Sequence, residues 1–97
     1  MDFRLIKSPS IGTKNVLLKR MNKKIMLDNI DAVGLVQGKV IDMVYAIDIA
    51  EKAAGVIVED IGGVCPQHMV LIAIFGDTSS VEEAMNKIKH KIKEGEL

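Results

Sequence analysis

Aromatic residues make up only 3% of this 97-residue chain, and tryptophan is absent. The apolar share is nonetheless 48%, so the core must be built from Ile, Val, Leu, Met and Ala, in thin layers that pack closely. Cysteine occurs once, at position 65. That excludes an internal disulfide framework and fits a reducing cytosol. Neither charge is in excess: Lys+Arg and Asp+Glu stand at 13 each. A nucleic-acid binder would need a basic field and usually stacking aromatics, so none is expected as a partner. A near-neutral surface also gives little protection against self-association. No apolar run approaches the roughly 20 residues of a membrane span. The opening MDFRLIKSPS lacks the basic region and apolar stretch of a secretory signal. Catalytic signatures are missing too, with no HExxH, P-loop, complete GxGxxG or Ser-His-Asp set, and no enzyme is expected. Asp42, Asp48 and Glu51 read as solvated helix carboxylates rather than acid–base groups.

What is present reads as one domain over residues 1–97. FRLIK (3–7) is a short strand, stopped at Ser8, Pro9 and Ser10. Thr13 is placed to cap a short helix through NVLLKRM. Residues 22–31 form a polar connection, with a short strand at 25–27. AVGLVQ (32–37) is a strand broken at Gly38. A helix is expected over 40–54, with Asp42, Tyr45, Asp48 and Lys52 on one side and Val44, Ile47, Ala50, Ala53 and Ala54 on the others. Gly55 stops it in the left-handed conformation. VIVED (56–60) and MVLIAIFG (69–76) are strands. The last helix follows, with Ser79 and Glu82, or Ser80 and Glu83, matching a capping box. Its apolar positions are Val81, Ala84, Met85, Ile88 and Ile92, and its lysines cluster late, in the favourable sense for the helix dipole. From residue 32 the order is strand, helix, strand, strand, helix. A ferredoxin-like β-α-β-β-α-β unit needs one more strand, and FRLIK at the front supplies it. The expected class is therefore α/β (α+β), a circularly permuted antiparallel sheet with helices packed on it.

At this point the residues resemble a known family. AVGLVQGK, AIDIAEKAAGVIVEDIGG and MVLIAIFGDTSSVEEAM together are similar to the shell-protein (BMC) domain of bacterial microcompartments. Ile47-Asp48 and Lys52-Ala53-Ala54 fall into that family's alanine-rich helix pattern. Gly76, Asp77, Val81 and Ala84 match its Gly-Asp strand end and V-x-x-A helix. FRLIKSPS with TKNVLLKRM resembles the family's later strand and short helix, moved to the front, which points to its permuted branch. The resemblance implies a structural tile: a cyclic homo-hexamer assembled with other shell proteins in a microcompartment shell. A lysine between the family's first strand and helix makes an edge contact. Lys39 is the nearest match, in a segment about one residue short, and is an interface candidate. A ferredoxin-like small-molecule-sensing regulatory module is the alternative with the same strand order.

The loop GGVCPQHM now acquires meaning. In the unpermuted family the loop between the second and third strands lines the sixfold pore. By resemblance that loop is Gly62, Gly63, Val64, Cys65, Pro66, Gln67 and His68 here. Rotational symmetry repeats each residue around the axis, so one thiol becomes a ring of thiols. The Gly-x-Cys-Pro-Gln sequence resembles the iron–sulfur-binding shell proteins of glycyl-radical propanediol-type microcompartments. That implies a 4Fe–4S cluster shared between subunits, with Cys65 as ligand and Gly63, Pro66 and Gln67 as companions, beside an encapsulated glycyl-radical enzyme system. Four ligand positions do not match a sixfold ring, so ligation by only some cysteines is implied. Three other readings stay open: a small buried thiol, a zinc site through Cys65 and His68, and a metal-free redox thiol.

Overall fold

A computed structural model describes residues 1–21, 30–53, 55–62 and 69–94. The chain runs β1 (Asp2–Lys7), α1 (Ile11–Arg20), β2 (Ala32–Lys39), α2 (Val40–Lys52), β3 (Val56–Gly62), β4 (Met69–Gly76) and α3 (Thr78–Glu94). The strands form one antiparallel sheet in the order β1-β2-β4-β3. Counted from β2, this is a β-α-β-β-α-β unit whose first and third strands are central. β1, from the front of the chain, fills the last edge position. The permuted arrangement expected from the sequence is the one that forms. The strand expected at 25–27 lies outside the described residues.

Period-two alternation sorts the strand side chains onto two faces. On one face Ala32 and Val36 of β2 and Ile72 and Ile74 of β4 meet Met43, Ala46 and Ala50 of α2. Val81, Ala84, Met85 and Ile88 of α3 complete that layer. On the other face Val33, Ala73, Phe75 and Ile61 pack against Leu17 of α1 and Met21. The sheet is thus sandwiched, with α2 and α3 on one side and the short α1 on the other. Phe75 is the only aromatic among the fully buried side chains, so the layers approach closely through small residues. At Gly34 an added Cβ would lie 2.5 Å from Met85 Sδ and 3.0 Å from Val81 Cγ1. Glycine there lets α3 lie directly on β2.

Several local expectations are corrected. Ser10, not Thr13, caps α1, its Oγ accepting the Thr13 backbone N–H at 3.2 Å. Thr13 is the third residue inside the helix. Asp77, not Ser79 or Ser80, opens α3: its Oδ1 accepts the Ser80 N–H at 2.7 Å and the Ser79 hydroxyl at 3.4 Å. A carboxylate is the stronger acceptor for the free N–H groups of a first turn. Those bonds, the Ser80 backbone N–H foremost, hold the Asp77 carboxyl below its usual range. β2 is not broken at Gly38, which pairs in register with Val70. α2 ends at Lys52, Ala53 is extended, and the left-handed turn falls on Gly55 at φ +81. Val44, assigned above to the apolar side, is 63% exposed, whereas the buried stripe runs Met43, Ala46, Ile49, Ala50 and Ala53.

Candidate functional site

The site is a sheet end, built where β3 stops and β4 starts. β3 and β4 pair from Val56 opposite Gly76 to Asp60 opposite Ile72, and then the register shifts so that Gly62 opposes Leu71. The extra residue, Ile61, is buried in the α1-side cluster with Phe75. Bulges of this kind bend a strand and end its pairing. Gly62 has φ +83, and a Cβ there would meet nothing within 4 Å. Backbone conformation, not lack of space, calls for glycine. The Asp60 carboxylate Oδ1 accepts the Gly62 N–H at 2.6 Å, closing an Asx-type turn. Bulge, turn and left-handed glycine together set the point at which the chain leaves the sheet.

The chain rejoins the sheet at Met69, whose register partner is Lys39. β1 begins at the same end, with Asp2 opposite Gln37. Met1 and Met43 close over Gly38, where an added Cβ would be 3.4 Å from Met1 Cγ and 3.1 Å from Met43 Cε. Of the residues expected to line a pore, Gly62 is thus placed at the loop's entry. Gly63, Val64, Cys65, Pro66, Gln67 and His68 lie outside the described residues. Lys39 is exposed, at the last position of β2, and makes no side-chain capping bond to α2. It stands beside the loop's exit at Met69.

The chemistry of the surrounding groups is modest. Asp60 is exposed and its carboxylate is committed to the Gly62 turn; an Asp two residues ahead of a glycine was the available signal. Lys52 and Asp48 form an exposed pair one helical turn apart at 2.8 Å. The hydrogen bond from Lys52 to Asp48 raises the lysine pKa. Such exposed pairs contribute little and do no chemistry. Among the described residues no group of three or more His, Cys, Asp and Glu is placed to hold a metal. With one thiol per chain, a cluster would need donors from the loops of several chains.

A profile of the BMC domain matches residues 32–97. The chain belongs to the BMC domain family. The match begins at Ala32, the first residue of β2, so β1 and α1 are the part placed ahead of the family's shared unit. A ligand-free structure of the GrpU microcompartment shell protein from Clostridiales bacterium 1_7_47FAA is 49% identical, with a TM-score of 0.77, covering 98% of this chain and 95% of that one. The ligand-free GrpU shell protein from Pectobacterium wasabiae is 36% identical, with a TM-score of 0.73, over 91% of this chain and 99% of its own. Among curated proteins no sequence matches. BMC domain proteins are structural components of microcompartment shells that assemble with other shell proteins, which favours a tile over the sensor alternative. No helix among the described residues is long and apolar enough to cross a membrane.

Proposed function

We propose that this BMC domain chain is a tile of a cyclic homo-hexamer whose β3–β4 loop lines the central pore and holds a 4Fe–4S cluster through Cys65. The observation that carries this reading is the position of the only cysteine. It falls in the connection between β3 and β4, whose entry is fixed by the Asp60–Gly62 turn and the bulge at Ile61. In a ring, one such loop per subunit meets its copies at the axis, and a single thiol per chain becomes a shared donor set. The donor chemistry fits: thiolates are the usual ligands of iron–sulfur clusters, and proline after a ligating cysteine recurs in them.

In this reading Gly63 gives the backbone room to approach the sulfurs, Pro66 and Gln67 follow the ligand, and Val64 and His68 line the channel with Gly62. Lys39, beside Met69, contacts the neighbouring subunit on the loop side. When bound, the cluster supplies one-electron transfer between the two sides of the shell. The tile sits in the bacterial cytoplasm with other shell proteins around an encapsulated glycyl-radical enzyme system.

The test is anaerobic reconstitution with iron and sulfide, followed by absorption and electron spin resonance spectra of wild type and Cys65→Ser. Wild type gains the broad visible absorption and reduced-state resonance of a cluster, and Cys65→Ser does not. Identical spectra from both proteins rule the cluster out.

A further inference from the structure

A ring has one requirement that the loop does not meet. Cyclic closure beyond a dimer uses a heterologous contact, so each chain must carry two different surfaces that fit one another. Two apolar exposures stand out among the described residues, and they lie on opposite faces of the sheet. The first is the outward face of α2, where Val40, Ile41 and Val44 are 45%, 77% and 63% exposed. At helical spacing the same face continues into Asp48 and Glu51, both exposed. The second is an apolar groove of about 520 Å³ between Gly12, Thr13, Val16 and Arg20 of α1 and Leu35 and Leu71 of the sheet. Val16 is 57% exposed along its rim.

Charge separates the two surfaces as well. α1 carries Lys14, Lys19 and Arg20 and no acidic residue. Arg4, the register partner of Leu35, adds a cation on the same sheet face. Opposite them, α2 offers Glu51, beside an Asp48 already paired with Lys52. Asp2 and Glu59 share the groove's sheet face but do not line it. Position agrees too. Val40 follows Lys39, which pairs with Met69, and Leu71 pairs with Gln37 and Gly62. Both surfaces therefore reach the sheet end that bears the loop, where neighbours around an axis must touch.

We infer that the α2 face of one copy seats in the α1 groove of the next, with Val40, Ile41 and Val44 entering the groove and Glu51 meeting Arg20. This rests on the proposed ring and specifies its contact. The apolar centre supplies the burial, and the rim charges set direction and exclude the self-pairings α1–α1 and α2–α2.

The experiment uses two full-length variants, Val44→Asp and Val16→Asp, each spoiling one surface. Both positions are exposed in the single chain, so far-UV circular dichroism should match wild type and melting should stay cooperative, at a lower midpoint once assembly is lost. Alone, each variant runs as a monomer, a sixfold loss of mass from the proposed ring. Mixed, they form a heterodimer, because one intact α2 face meets one intact groove and the chain of contacts ends there. A second pair reads the same contact without touching apolar residues. Glu51→Arg and Arg20→Glu each raise the concentration for half-assembly about tenfold at low salt, and combining both changes in one chain restores much of the loss. A wild-type ring that survives Val44→Asp or Val16→Asp overturns the pairing and leaves the ring. Monomeric variants whose mixture stays monomeric also overturn it. A wild type that is itself monomeric overturns ring and pairing together.

Discussion

At Gly76 the space for a side chain is filled by backbone: an added Cβ would lie 2.7 Å from the Gly55 carbonyl oxygen. Backbone at a strand end cannot swing aside as a side chain can. Gly76→Ala should therefore cost about 1–3 kcal/mol in urea unfolding, more than Gly34→Ala, where the nearest obstacle is the flexible end of Met85. Equal midpoints for the two variants would refute this ranking. Asp77 gives a pH signature. Its folded pKa is lowered, chiefly by the Ser80 N–H, so its stabilisation is full above the unfolded value near 3.8 and is lost as pH falls through the folded pKa. Asp77→Ala should lower the melting midpoint at pH 7 and lose less between pH 5 and pH 2 than wild type does. Parallel melting curves across that range would count against the cap.

The two-face packing of the sheet makes α1 separable at the scale of elements. Leu17, with Met21, ties it to Phe75, Ala73 and Ile61. None of these belongs to the α2–α3 cluster. Leu17→Ala should cost about 2–5 kcal/mol, with amide exchange rising first along α1 while α2 and α3 stay protected. Uniform loss of protection would show that the layers are not independent. Element order and the permuted sheet were legible in the sequence because Ser, Pro and Gly punctuate the apolar runs and the strand count was short by one. Helix ends were less so. Thr13, Ser79 and Ser80 are all good capping types, and only the fold shows that Ser10 and Asp77 occupy the capping positions. On α2 the expected sides hold except at Val44, which is exposed for a physical reason. Val40, Ile41, Val44 and Ile47 widen the apolar arc of Met43, Ala46, Ile49 and Ala50 well beyond the stripe that one buried face needs, so the pattern does not single out which of them face the sheet. That surplus is the signal on which the proposed contact between copies rests.

For the whole molecule, the proposed closure around an axis would give the residues of the candidate site a common purpose. In that ring the Asp60–Gly62 turn stands at the loop's entry, Cys65 would supply one thiol per copy, and the α2 face and α1 groove would bring the copies together. Of this site, the sequence alone marked the cysteine and its glycines. The role of Asp60 and the presence of Lys39 beside Met69 needed the register of three strands. The assembly has its own salt response. If Glu51 and Arg20 meet across subunits, raising ionic strength should weaken the ring, since rim charges are screened over about 10 Å at 0.1 M salt. Native mass spectrometry of the anaerobically reconstituted protein, beside Cys65→Ser, tests the central claim most directly. Wild type should appear at six times the 10.6 kDa chain mass plus the mass of one iron–sulfur cluster, and Cys65→Ser at six chains with no added mass. A monomer or dimer, or equal added mass in both proteins, would contradict it.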